Sequence, residues 1–157
     1  MSTTIEILSP AGSPESLTAA VRAGADAVYL GGSLFSARAS AKNFSDEALK
    51  AAVEYCHARG VKVYLAINTI LRQEELLPAL SFLQFACSLP VDAVLVQDTG
   101  FLWLAQKCAP GMPLHASTQM SIHTPAGCKA CLLYTSSLME TVNILSFICM
   151  VSINGSF

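Results

Sequence analysis

Charge is scarce in this chain: Lys, Arg, Asp and Glu make up 13% of its 157 residues, against about 25% in ordinary soluble domains. Apolar residues account for 53%. That balance argues against disorder and points to strands buried on both faces. A basic excess is missing too, since nine Lys and Arg stand against eleven Asp and Glu for a formal net charge of −2. The global positive field that drives non-specific nucleic-acid binding is therefore absent.

Several chemical signatures are also lacking. There is no His-Glu-x-x-His, no nucleophile elbow and no P-loop, which sets aside the commonest zinc-protease, serine-hydrolase and nucleotide-binding patterns. No basic region precedes an apolar stretch at the start of the chain, so a cytoplasmic location is expected. Thr141 to Phe157 is uncharged, yet with Asn143 and Asn154 inside it falls short of the about 20 mostly apolar residues a membrane span needs. No membrane association is expected.

The six cysteines read as reduced thiols rather than a disulfide framework. Cys56, Cys87 and Cys108 fall in or beside helices and are expected in the core. Cys128-Lys129-Ala130-Cys131 has metal-ligand spacing but no second pair, so no metal site is assigned.

What the chain does have is a weak internal period. Ala25-Asp26-Ala27-Val28, Gly60-Val61-Lys62-Val63 and Val91-Asp92-Ala93-Val94 each open a short apolar run, at about the spacing of one strand-plus-helix unit. Ser13 before Pro14 and Ser45 before Asp46-Glu47 mark helix starts. Gly24 suits the left-handed position just past a helix end. Pro78 leaves the start of the third helix open by several residues.

Five such units are expected. The length falls below the about 250 residues of a closed eight-stranded barrel. The fold class is accordingly α/β, the N-terminal part of a parallel (β/α) TIM-type barrel, about five strands and incomplete. A doubly wound open sheet is the alternative, disfavoured because no Gly-rich phosphate loop follows the first strand. Residues 1–127 are assigned to the partial barrel. Residues 128–157 form an atypical tail in which only Lys129 and Glu140 are charged, read as truncated or non-native sequence.

Ligands in parallel α/β folds meet the carboxyl ends of the strands. The polar residues there are Ser9, Ser36, Arg38, Asn43, Asn68, Thr69, Gln97, Asp98, His115, Ser117, Thr118 and Gln119. Arg38 offers a planar fork of donors for a carboxylate or phosphate. Asp98 follows an apolar strand, where it could act as a base, a metal ligand or a helix cap. Alternation places His115 and Ser117 on one face without thereby making a nucleophile–base pair. Catalytic candidates are Asp98 and His115; substrate-binding candidates are Arg38, Asn43, Asn68, Gln97, Ser117 and Gln119. His57 is expected as a solvated helix residue.

Three stretches together resemble the U32 peptidase family, the collagenase-like peptidases: Ile7 to Ser13; Gly24 to Gly32 with Phe35-Ser36-Ala37-Arg38-Ala39; and Val96-Gln97-Asp98 with Leu114 to Met120. Asn43-Phe44 and Ile67-Asn68-Thr69 fit as well. The resemblance is strongest to the branch that hydroxylates a cytidine of large-subunit ribosomal RNA. It implies an RNA-modifying enzyme acting on ribosomal or transfer RNA, or a peptidase, with Asp98 and His115 assisting through a metal in the peptidase case.

The family resemblance also implies a further helix, a strand ending in Arg-Glu, and cysteines that hold an iron–sulfur cluster in the full-length protein. No Arg-Glu pair follows Gly127, and the residue pattern after it marks neither the expected helix nor a cluster-binding segment. This chain by itself is expected to bind no cofactor. A non-catalytic fragment that self-associates through an open sheet edge is the remaining alternative.

Overall fold

The computed structural model describes residues 6–36 and 44–135. Five strands alternate with five helices: β1 Leu8–Pro10, α1 Pro14–Arg22, β2 Ala27–Gly31, α2 Asp46–His57, β3 Lys62–Ile67, α3 Leu76–Ser88, β4 Ala93–Val96, α4 Thr99–Cys108, β5 Leu114–Ala116 and α5 Pro125–Thr135. All adjacent strands pair in parallel, in the spatial order β1-β2-β3-β4-β5.

That order separates the two architectures left open by the sequence. A doubly wound sheet reverses direction at a switch point, whereas here each strand lies beside its sequence neighbour throughout. The sheet is an arc of a barrel and is not closed.

Local chemistry sets the helix starts. Ser13 Oγ accepts the Ser16 N–H at 3.2 Å, and Ser16 Oγ accepts the Ser13 N–H at 2.9 Å, a reciprocal cap ahead of Pro14. Ser45 Oγ accepts the Ala48 N–H at 3.3 Å. Pro78 sits in the first turn of α3, where its missing N–H costs little, behind a 3₁₀ turn at Gln73–Glu75. Gly24 and Gly60 adopt φ of +89° and +71° just past α1 and α2, as a left-handed exit requires.

The strands divide their side chains between two layers. Val28, Leu30, Val63, Leu65, Ile67, Val94, Val96 and Leu114 pack against the helices, with Leu17, Val53, Leu83 and Phe101 facing them. Ala27, Tyr64, Ala93 and Leu95, joined by Leu8 and Tyr29, form a separate cluster on the opposite, concave face. Both faces are apolar, in keeping with the low charge content.

One expectation changes here. Cys56 is buried, but Cys87 and Cys108 are exposed. The buried stripe of α3 runs Ala79, Leu83, Ala86, so its last step is three residues rather than four and turns Cys87 outward. Cys108 is the last residue of α4, beyond the buried Phe101, Leu102 and Ala105. The boundary expected after Gly127 falls inside α5, and residues 136–157 lie outside the described residues. Among the described residues no helix is long and apolar enough to cross a membrane.

Candidate functional site at the carboxyl ends of the strands

Register and alternation define the concave face row by row. Gly31, Ala66, Leu95 and His115 are successive partners across β2, β3, β4 and β5. Two residues further along β3, β4 and β5 stand Asn68, Gln97 and Ser117, which therefore share that face. The structure thus brings together three of the sequence-predicted polar residues at the mouth, with His115 one row beneath.

Hydrogen bonds tie this upper row together. Asn68 Nδ2 donates to Ser117 Oγ at 3.4 Å. Ser117 is buried, with 4% of its surface exposed, and its Oγ also accepts the Gln119 N–H at 3.3 Å. Gln97 Nε2 donates to the Gln119 carbonyl at 3.4 Å, so the turn Thr118–Met120 is held over β4 and β5. The side chain of Gln119 is exposed.

Asp98 takes a different role from its neighbours. It is the N-cap of α4, with Oδ1 accepting the Phe101 N–H at 2.7 Å and Oδ2 accepting the Leu71 N–H at 3.4 Å. Both oxygens are engaged with backbone, one closing α4 and the other tethering the loop after β3. Of the three readings the sequence left open, the geometry provides for the cap.

His115 meets an aromatic ring rather than Ser117. Its imidazole lies edge-on to Tyr64, with centroids 5.0 Å apart and planes at 75°. Burial holds its pKa below the ordinary imidazole value, with nearby Glu6 opposing and Lys62 reinforcing that shift. A neutral imidazole, able to donate at one nitrogen and accept at the other, is the form this environment favours.

Sequence reasoning missed the group beneath His115. Glu6 Oε1 accepts the Tyr64 hydroxyl at 2.5 Å and Glu6 Oε2 accepts Lys62 Nζ at 2.6 Å. Burial, followed by the bond to Glu6, raises the Tyr64 pKa. The signal was present in Lys62-Val63-Tyr64, whose alternation puts a charge and a phenol on one face of a strand.

The remaining candidates are placed as follows. Ser9 is the register partner of Val28, so it turns toward the helix layer and not the mouth. Arg38 and Asn43 lie outside the described residues. The loop leading to them is pinned at Phe35, whose carbonyl accepts the Asn68 N–H at 3.0 Å and the Thr69 hydroxyl at 3.5 Å. Phe35 has φ of +61°, uncommon for a bulky residue and a form of strain found near functional loops.

His57 is solvated as expected, but it also pairs with Asp92 at 2.9 Å on the far side of the sheet. Cys56, Cys87 and Cys108 lie toward the same far ends of their helices, and burial pushes the Cys56 thiol up to about 11. Among the described residues no three His, Cys, Asp or Glu side chains gather as metal ligands. These residues do not fit an iron–sulfur cluster.

The chain is 42% identical over 118 residues to the "uncharacterized protease MJ0090" of Methanocaldococcus jannaschii, covering 75% of this chain and 28% of that protein. It is 42% identical over 120 residues to the 23S rRNA 5-hydroxycytidine C2501 synthase of Escherichia coli, covering 76% and 18%. Identity is 39% over 118 residues to a collagenase of Porphyromonas gingivalis, covering 74% and 28%. The chain therefore spans less than a third of the length of these curated relatives.

Among solved structures, that of the U32 peptidase Mk0906 matches with a TM-score of 0.60 at 19% identity, over 81% of this chain and 54% of the other. This likeness establishes the shared fold. The family model described as peptidase family U32 matches residues 12–137, so the chain belongs to peptidase family U32.

Proposed function

We propose that this chain is the amino-terminal barrel segment of a longer RNA-hydroxylating enzyme, and that its mouth receives a nucleobase. The observation that carries this reading is the upper row of Asn68, Gln97 and Ser117 over a neutral His115. Amide and hydroxyl groups present paired donors and acceptors, the chemistry that reads the edges of an unstacked base. Relatives bearing hydroxylation names, the Escherichia coli C2501 synthase and the tRNA hydroxylation protein P of Helicobacter pylori, are 42% and 40% identical to this chain.

In this reading Asn68, Gln97 and Ser117 hold the base, Gln119 shapes the rim, and His115 supplies a hydrogen bond from below. Arg38 and Asn43 are assigned the phosphate backbone on chemical grounds alone. An iron–sulfur cluster would need ligands from beyond residues 6–135. A ribosomal or transfer RNA substrate would place the protein in the cytoplasm.

The peptidase reading rests on the collagenase relative. The site's geometry gives it less support, because Ser117 Oγ is engaged with Asn68 and Gln119 while His115 faces Tyr64. The third reading, a non-catalytic fragment that pairs through an open edge, draws on β1 and β5 being the outermost strands of the sheet among the described residues.

Mass spectrometry of nucleosides decides among them. The full-length protein, expressed in cells lacking their own enzyme, is expected to restore a hydroxylated pyrimidine in ribosomal or transfer RNA, and Asn68→Ala or Gln97→Ala to reduce it. Absence of any hydroxylated nucleoside, together with cleavage of casein or denatured collagen by pure protein, would reverse the assignment.

A further inference from the structure

Beneath the mouth, four side chains form a continuous contact chain, of which the proposed function uses His115 alone. Lys62 Nζ bonds Glu6 Oε2 at 2.6 Å, Glu6 Oε1 bonds the Tyr64 hydroxyl at 2.5 Å, and the Tyr64 ring meets the His115 ring at 75°. Tyr64 is 5% exposed and has apolar neighbours on the concave face in Ala27, Ala93 and Leu95. Its polar end is fixed by a carboxylate, and its ring is fixed by packing.

We propose that Tyr64 is a positioning residue for His115, pinned at its hydroxyl by Glu6 so that its ring sets the plane of the imidazole under the mouth. An edge-to-face pair is directional, so a fixed phenol restricts the tilt of its partner. Without the Glu6 bond the phenol oxygen would be a buried polar group seeking another partner, and the ring would lose its reference. Lys62 acts one step further out, holding the second oxygen of Glu6 and so fixing the carboxylate plane. This inference rests on His115 belonging to the substrate site, but the positioning itself is measurable in the 157-residue chain without substrate.

The test is an NMR titration of the three histidines in wild type, Tyr64→Phe, Tyr64→Leu and the milder Glu6→Gln. In both Tyr64 variants the His115 ring resonances are expected to move and its titration to rise toward the ordinary 6.5. Backbone amide resonances of the helix layer, on the other face of the sheet, are expected to keep their wild-type positions, which a general loss of structure would not allow. Glu6→Gln keeps an acceptor for the phenol and is expected to give a smaller displacement.

His115 signals and titration unchanged in both Tyr64 variants would overturn the proposal. In the full-length enzyme Tyr64→Phe is expected to lower kcat on the order of tenfold with little change in KM, as misorientation of a reacting contact does. A moved His115 titration with unchanged kcat would support the positioning and overturn the placing of His115 in the substrate site.

Discussion

Asp26 and Asp92 make the same pair of bonds at two places in the barrel arc, between β1 and β2 and between β3 and β4. Asp26 Oδ2 accepts the Ile7 N–H at 2.8 Å while its own N–H donates to the Ile7 carbonyl at 3.0 Å. Asp92 Oδ2 accepts the Val63 N–H at 2.7 Å, and its N–H donates to the Val63 carbonyl at 2.9 Å. Each carboxylate clips the start of its strand to the preceding one. Asp92 alone adds His57.

Replacing Asp92 with Ala is therefore expected to cost about 1–3 kcal/mol, since it leaves the part-buried Val63 N–H without its carboxylate acceptor. Asp26→Ala is expected to cost less, because its bond to Ile7 is exposed. Urea unfolding of the two variants measures the difference, and equal losses would count against the argument.

Gly32 and Phe82 share one volume: a Cβ built on Gly32 would lie 2.4 Å from Phe82 Cζ. Gly32→Ala is expected to destabilise by about 1–3 kcal/mol through overpacking. Adding Phe82→Leu should return part of that loss, so a double-mutant cycle is the check. Additive costs would show that the crowding is relieved elsewhere.

Asp98→Asn separates a cap from a base. Asn caps helices about as well as Asp, so thermal stability is expected to stay close to wild type, whereas Asp98→Ala should lose about 0.5–2 kcal/mol. In the full-length enzyme the Asn variant is expected to retain activity. Loss of turnover at unchanged stability would make Asp98 a chemical participant.

The depressed pKa of His115 has a definite sign in stability. The unfolded chain binds this proton more readily than the folded one, so stability is fully present above about pH 6.5 and declines as pH falls through that value toward the lower folded pKa. His115→Gln is expected to flatten that part of the curve. Urea midpoints between about pH 8 and 5, wild type against variant, supply the comparison.

Much of this was legible in the residues. The Ala-Asp-Ala-Val period located strands β2 and β4, and Ser13, Ser45 and Gly24 marked helix ends, because caps and left-handed exits depend on local chemistry. Asn68, Gln97 and Ser117 were found by their places after the strands. Less legible was anything set by pairing between distant residues. Glu6 meets Tyr64 across 58 positions, and the exposure of Cys87 turned on one residue of helical phase. Asp98 shows the same limit: its residue type fits three roles, and only the positions of Leu71 and Phe101 distinguish them.

The strand order described above also bears on how the chain acquires its structure. Every strand pairs with the one before it, and register partners lie 19 to 35 positions apart, as between Leu8 and Ala27 and between Val28 and Val63. Closing such short loops carries a modest entropic cost, and no strand must wait for a remote partner. Each unit can dock on its predecessor as it leaves the ribosome, so the arc can grow vectorially from β1 to β5. Among the described residues strand β5 then stands as the growing end of the sheet.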